Sequence, residues 1–185
     1  SENHLFIARN FSGMGFINAD DIHLMIMPMF HVSPLTHFVN SITYCGQTLC
    51  IRKSFSRSDF WPTVIKYGVT IVTCVPAMWN FLYYGTDSAD IDLSKHKLRK
   101  GMSGGAPLSV ELIHGIKEKF NIQIIEAYGL TEACAISTCN PIEGKRKPGS
   151  IGLAMPGLEG EILDDTNQLL PAGQVGEICV RGKSV

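Results

Sequence analysis

The apolar positions change period along this chain, and the changes mark out its elements. Between residues 3 and 17 they fall at Leu5, Phe6, Ala8, Phe11 and Met14, the spacing of one face of a helix. Residues 23–29 are by contrast a near-continuous apolar run of strand length, closed by Pro28 and its neighbours. Residues 34–45 predict a helix with Pro34 in its first turn, and 47–52 a strand. A helix over 59–67 is stopped by Gly68. A β-branched, buried-looking strand follows over 69–75 with Pro76 behind it, and then a helix over 77–84. The alternation continues with a strand at 98–103, a helix at 109–120 capped by Ser109, and a strand at 122–127.

Short apolar strands alternating with amphipathic helices predict an α/β fold, a mostly parallel sheet with helices on both faces. From about Gly149 the texture changes. Turn residues become dense, as in Asp164-Asp165-Thr166-Asn167 and Pro171-Ala172-Gly173, and strands at 158–163 and 175–181 follow with no helix between them. The expected division is an α/β subdomain over 1–144 and an all-β unit over 145–185.

Composition narrows the partners more than the fold. With 185 residues, 45% apolar and 18% charged, the chain can bury a real core and is not disordered. A net charge of -1 provides no basic field, so nucleic acid is not an expected partner. No apolar run reaches the ~20 residues of a transmembrane segment. The cysteines at 45, 50, 74, 134, 139 and 179 form no Cys-x-x-Cys pair, and four lie inside apolar runs. They are expected to be buried reduced thiols, which suits a cytoplasmic protein. The chain opens Ser-Glu-Asn-His and closes on a strand-like segment, so a piece of a larger protein is expected. The basic stretches at 95–100 and 145–147 are expected to be solvated faces.

Two segments carry candidate chemistry. Glu126-Ala127-Tyr128-Gly129-Leu130-Thr131-Glu132 runs from a buried strand into a loop, at the strand end where open α/β sheets bind ligands. Gly129 permits a turn that turns amides toward a phosphate, Thr131 supplies a hydroxyl, Glu132 a carboxylate for a hard cation, and Tyr128 a flat face for a base. The same residues equally describe an ordinary strand-to-turn junction with a surface Glu. Ser103-Gly104-Gly105-Ala106-Pro107-Leu108 likewise leaves a strand, and its small residues let a planar ligand approach the backbone. It too reads as a plain glycine-rich turn.

Together these segments resemble the adenylate-forming (AMP-binding) superfamily of acyl-CoA synthetases, luciferases and peptide-synthetase adenylation domains. Tyr128-Gly129-Leu130-Thr131-Glu132 is similar to its adenine- and phosphate-contacting motif, and Ser103–Leu108 to its adenine-side loop. Met27-Pro28-Met29-Phe30-His31, Pro148-Gly149-Ser150-Ile151-Gly152 and the stretch 170–182 resemble three further family segments in the right order. The resemblance covers nearly the whole chain, and implies that 145–185 is part of a small β-barrel subdomain.

It also implies a reaction. A carboxylic acid is adenylated by ATP with Mg²⁺, and the acyl group then passes to CoA. By position, Gly104, Gly105, Ala106 and Pro107 face the adenine opposite Tyr128, with Glu126, Ala127, Gly129 and Leu130 around them. Thr131 contacts phosphate, Glu132 holds Mg²⁺, and His31 sits by the reacting carboxylate. The remaining histidines, at 4, 23, 37, 96 and 114, are expected to be structural. Amino-acid-activating members place an Asp where this chain has His31, so an uncharged acid is implied, with the apolar run 75–82 suiting a fatty acid. An aryl-acid or carrier-protein-loading enzyme, or a non-catalytic nucleotide-binding module, are the alternatives. The family's phosphate-binding loop would precede residue 1, and its ribose-binding Asp and catalytic Lys would follow Val185. The piece alone is therefore expected to bind ATP weakly and not to turn over.

Overall fold

The structure is a computed structural model that describes residues 2–87 and 91–185. The side chains of residues 36–38, 40 and 41 lie outside that description, and with them the role expected of His37. Five parallel strands form the centre: β1 (Ile22–Met25), β2 (Thr48–Ile51), β3 (Ile71–Cys74), β4 (Lys100–Ser103) and β5 (Gln123–Tyr128). They lie in the order β2-β1-β3-β4-β5, one of the two common doubly wound orders. Two short antiparallel strands, β6 (Thr138–Cys139) and β7 (Leu153–Ala154), extend the sheet beyond β5. β8 (Leu158–Leu163) and β9 (Glu177–Gly182) pair antiparallel as a separate two-stranded sheet.

Period-2 alternation explains why both faces of the sheet are covered. Leu24, Val72 and Ile124 point to one side, where they pack with Trp61, Trp79, Leu82, Ile116 and Phe120. These come from α3 (Arg57–Tyr67), α4 (Pro76–Gly85) and α5 (Val110–Phe120). Their sequence neighbours Met25, Ile71 and Ile125 point to the other side, against Phe11 of α1 (Glu2–Gly13) and Ile42 of α2 (Asn40–Cys45). Strands buried on both faces read as near-continuous apolar runs, interrupted here by the buried polar residues His23, Thr73 and Ser103.

The caps fall where the sequence places them. The Ser56 and Ser109 hydroxyls accept the amides of Asp59 and Leu112 to start α3 and α5. Gly68 and Asn121 end those helices in the left-handed region. Three features differ from expectation. The first strand stops at Met25, because its partner β2 ends opposite it at Ile51 and Pro28 has no N–H to offer a ladder. The helix foreseen over 34–45 begins as a π-helical stretch, Ser33–Val39, before α2. β6 and β7 were not foreseen, since two residues carry no period. Through β7 the chain returns to the main sheet after residue 145, and Met155 and Leu158 join the core beside α1.

The run at 95–100 is exposed at Lys95, Lys97 and Arg99 as expected, but it is not only a solvated face. Arg99 pairs with Asp21, whose side chain is 1% exposed. Asp21 also accepts the Thr70 hydroxyl at 2.6 Å and the Asn18 amide at 3.1 Å. Thr70 in turn accepts the Ile22 amide at 3.0 Å. This network ties the starts of β1, β3 and β4 together at the end of the sheet away from the candidate loops. Nor are the cysteines uniformly buried: all six are free, but only Cys74 and Cys139 are fully enclosed.

His23 of β1 is fully buried, and burial depresses its imidazole to about 3, against a smaller opposing pull from Asp21. The unfolded chain takes up this proton near its ordinary value of about 6.5, well before the folded chain does. Stability is therefore complete above that pH and falls as the pH drops toward 3. Urea midpoints of a His23→Gln variant should fall less steeply than the parent between pH 7 and 4. Parallel curves would show that His23 does not set the acid sensitivity.

Candidate functional site

The loops leaving the carboxyl ends of β1, β3, β4 and β5 converge on one edge of the sheet. The reversal of strand order between β1 and β3 opens a crevice there, because consecutive crossovers run on opposite faces. Two cavities occupy it. The first, about 290 Å³, is lined by Met27, His31, Val32 and Ser33 after β1, by Thr73–Val75, and by Met102, Gly104 and Gly105. Ala127–Thr131, Ala135 and Ile136 complete it. The second, about 410 Å³, is lined by Ser103, Gly105–Leu108, Glu126–Gly129 and Gly149–Ile151. Gly105 and Ala127–Gly129 face both cavities.

That shared wall depends on close backbone approach. Gly129 has no left-handed φ, so the turn freedom expected of it is not why glycine is needed. A β-carbon there would instead overlap the Ala135 carbonyl oxygen. The segment folds back on itself through Ala135 N to Leu130 O at 3.1 Å and Ser137 N to Tyr128 O at 2.9 Å. Ala135 takes φ 95, a region L-residues rarely occupy, to bring its carbonyl over Gly129. Gly104 is also in close contact, though less severely, since a β-carbon would sit 3.1 Å from the Ala127 carbonyl, and Gly105 has φ +82.

Glu126 anchors the second cavity from β5. Its carboxylate accepts the Gly149 amide at 2.9 Å, which fixes the 149–151 loop as the far wall. Burial pushes its pKa above the ordinary range, against a smaller opposing effect of that amide. Ser103 presents a buried hydroxyl to the same cavity, without a protein partner. In the first cavity, burial pushes the Cys74 thiol far up, so it is a neutral wall. His31 lies at the rim, exposed, with the Phe30 ring 4.8 Å from its own.

The structure brings together Gly104–Pro107, Glu126–Thr131 and His31. Glu132 lies in the same single turn as Thr131, Thr131–Ala133, exposed and outside the lining of either cavity. Among the described residues no group of three or more His, Cys, Asp or Glu could cage a metal. A solvent-facing carboxylate one residue from the Thr131 lining of the first cavity does fit Mg²⁺, which takes one or two carboxylates together with substrate phosphates. Of the apolar run 75–82, Val75 lines the first cavity, Trp79 and Leu82 are core, and Phe81 is exposed. Met27, Thr73, Cys74, Met102 and Ile136 were missed as lining residues. Met27, Thr73, Cys74 and Met102 lie near the ends of predicted strands, which hinted at them, whereas Ile136 carried no signal in the sequence.

Comparison with known proteins agrees with this geometry. Residues 3–185 match the family model described as AMP-binding enzyme. A 4-coumarate–CoA ligase-like protein (number 4) of Oryza sativa subsp. japonica is 34% identical over 165 residues, which are 88% of this chain and 29% of that protein. A crotonobetaine/carnitine–CoA ligase of Escherichia coli O7:K1 is 34% identical over 163 residues, 31% of its length. ATP-bound MatB from Rhodopseudomonas palustris superposes with a TM-score of 0.89 at 25% identity, covering 100% of this chain and 36% of that one. MenE from Bacillus subtilis, in complex with ATP and magnesium ion, gives 0.85 at 28%, covering 37% of that chain. The chain thus spans about a third of the length of these relatives. It belongs to the AMP-binding enzyme family.

If the wall depends on backbone contact, Gly129→Ala should cost about 1–3 kcal/mol or more by overpacking. Gly13→Ala, which meets nothing within 4 Å, should stay within about 0.5 kcal/mol. Equal urea midpoints for the two variants would contradict the contact.

Proposed function

We propose, with that membership as the premise, that the protein carrying this stretch is an ATP-dependent acid–thiol ligase. It joins an uncharged carboxylic acid to AMP with release of pyrophosphate, then passes the acyl group to CoA. The observation that supports this best is the pair of cavities meeting at Gly105 and Ala127–Gly129. Two reactants placed one in each would meet at the wall they share, and holding reactants in contact can remove a large part of the barrier.

The nucleotide belongs to the second cavity. Its base lies against Tyr128 and the side-chain-poor stretch Gly104–Pro107, with Glu126, Ala127 and the Ser103 hydroxyl as edge partners. Thr131 then donates its hydroxyl to a phosphate oxygen. Leu130 holds the turn through its carbonyl, which accepts the Ala135 amide. The acid belongs to the first cavity, its carboxylate toward His31, whose ring N–H donates to an oxygen. Glu132 would hold Mg²⁺, which when bound neutralises phosphate charge.

The first cavity is lined mainly by Met27, Val32, Cys74, Val75, Met102 and Ile136 and by no carboxylate. A substrate ammonium would be desolvated without a partner there, so an amino acid is disfavoured. At about 290 Å³ the cavity is at the small end for ligand sites. Its apolar lining favours a fatty acid. A single-ring aryl acid is the second reading, supported by the 4-coumarate ligase-like relative. No described helix is long and apolar enough to cross a membrane, and the free thiols suit a reducing cytoplasm. The 185 residues alone supply one side of the site, and turnover belongs to the longer protein.

Acid-dependent exchange of pyrophosphate into ATP, measured on the longer protein, should be driven by uncharged apolar acids and not by amino acids. Glu132→Ala should lower the exchange about 10²–10³-fold without changing the unfolding midpoint. Undiminished exchange in that variant would remove Glu132 from the cation site.

A further inference from the structure

A third cavity lies on the far side of Glu126, between α5, β5 and the segment after β6. It measures about 170 Å³, and its polar lining is His114 and Lys117 of α5, Gln123 and Glu126 of β5, and Asn140 and Arg146. It is distinct from the two substrate cavities, sharing only Glu126 with the second. Three potentially cationic groups from two separate segments therefore face one carboxyl.

Arg146 and Lys117 are held by the residues around them. Arg146 donates from Nη1 to the carbonyls of Ile142 at 2.7 Å and Pro141 at 3.3 Å. Asn140, 3% exposed, accepts the Lys147 amide at 3.2 Å and donates to the Ser150 carbonyl at 2.6 Å, fixing the segment that carries Arg146. Lys117 Nζ is steadied by Asn121 Oδ1 at 2.6 Å and retains further N–H donors. Gln123 is committed to the Ile142 carbonyl at 3.3 Å. The Glu126 carboxylate is committed in part to the Gly149 amide, which it accepts at 2.9 Å.

We infer that this cavity is a binding site for a phosphate-type oxyanion, held by His114, Lys117 and Arg146. At about 30 Å³ per water its volume would take roughly six waters, room for one phosphoryl group and not for a nucleotide. Two cations and an imidazole converging on so small a space match a compact anion better than an apolar group. The inference does not rest on the proposed ligase reaction. The oxyanion is either free phosphate or the phosphoryl end of a larger molecule whose remainder stays in solvent.

Calorimetric titration of the chain with inorganic phosphate, and separately with adenosine 3′-monophosphate, separates these sources. Both ligands should bind saturably, and the tighter one names the source. His114→Gln and Lys117→Gln should each weaken binding about tenfold and together abolish it. Lys95→Gln, on a different segment, should leave it unchanged. Arg146 is left intact because it also supports the fold. No saturable binding of either ligand, or equal affinity in the double variant, would overturn the site.

Discussion

Everything at the ligand edge of this protein hangs on one steric constraint, the seating of the Ala135 carbonyl against the bare Cα of Gly129. Because no side chain intervenes, the segment leaving β5 turns back within a few residues and starts β6 beside its own origin. That tight return places Tyr128 and Ala127 between two cavities and puts Thr131 at the opening of one. The unfavourable φ of Ala135 is the conformational cost of the arrangement, and strain of that kind persists only where surrounding contacts over-determine it.

The two ends of the sheet divide the work. At the amino ends of the strands, Asp21, Thr70 and Arg99 lock β1, β3 and β4 together with charge-assisted hydrogen bonds. At the carboxyl ends the loops are short of side chains and partly unsatisfied, as the Ser103 hydroxyl shows. Between these ends the Trp79 ring packs so close to Gly101 that a β-carbon there would collide. A pinned amino end and a backbone-lined carboxyl end are what a site needs to hold planar and anionic ligands with little reorganisation.

Much of this was legible in the sequence. The near-continuous apolar strands gave the layers, the Ser109 cap and Gly68 gave helix ends, and ordered motif resemblance located the loops after β4 and β5. What stayed hidden depends on contacts between distant residues. Nothing local in 95–100 reveals that Arg99 meets a buried Asp21. Nothing near Gly129 says its role is to admit Ala135. The two-residue strands β6 and β7 carry no period, so the return of the chain to the main sheet after residue 145 could not be read. Lining residues such as Thr73, Cys74 and Met102 look like ordinary strand interior until the sheet order puts their ends on the crevice.

The account's central claim is that one backbone wall separates a nucleotide cavity from an acid cavity. Titrating the isotope-labelled chain with AMP and following its backbone amides tests this most directly. Saturable shifts should concentrate at 104–107, 126–131 and 149–151, with the 22–25 and 48–51 strands silent. Shifts centred on other segments, with those three unmoved, would contradict it.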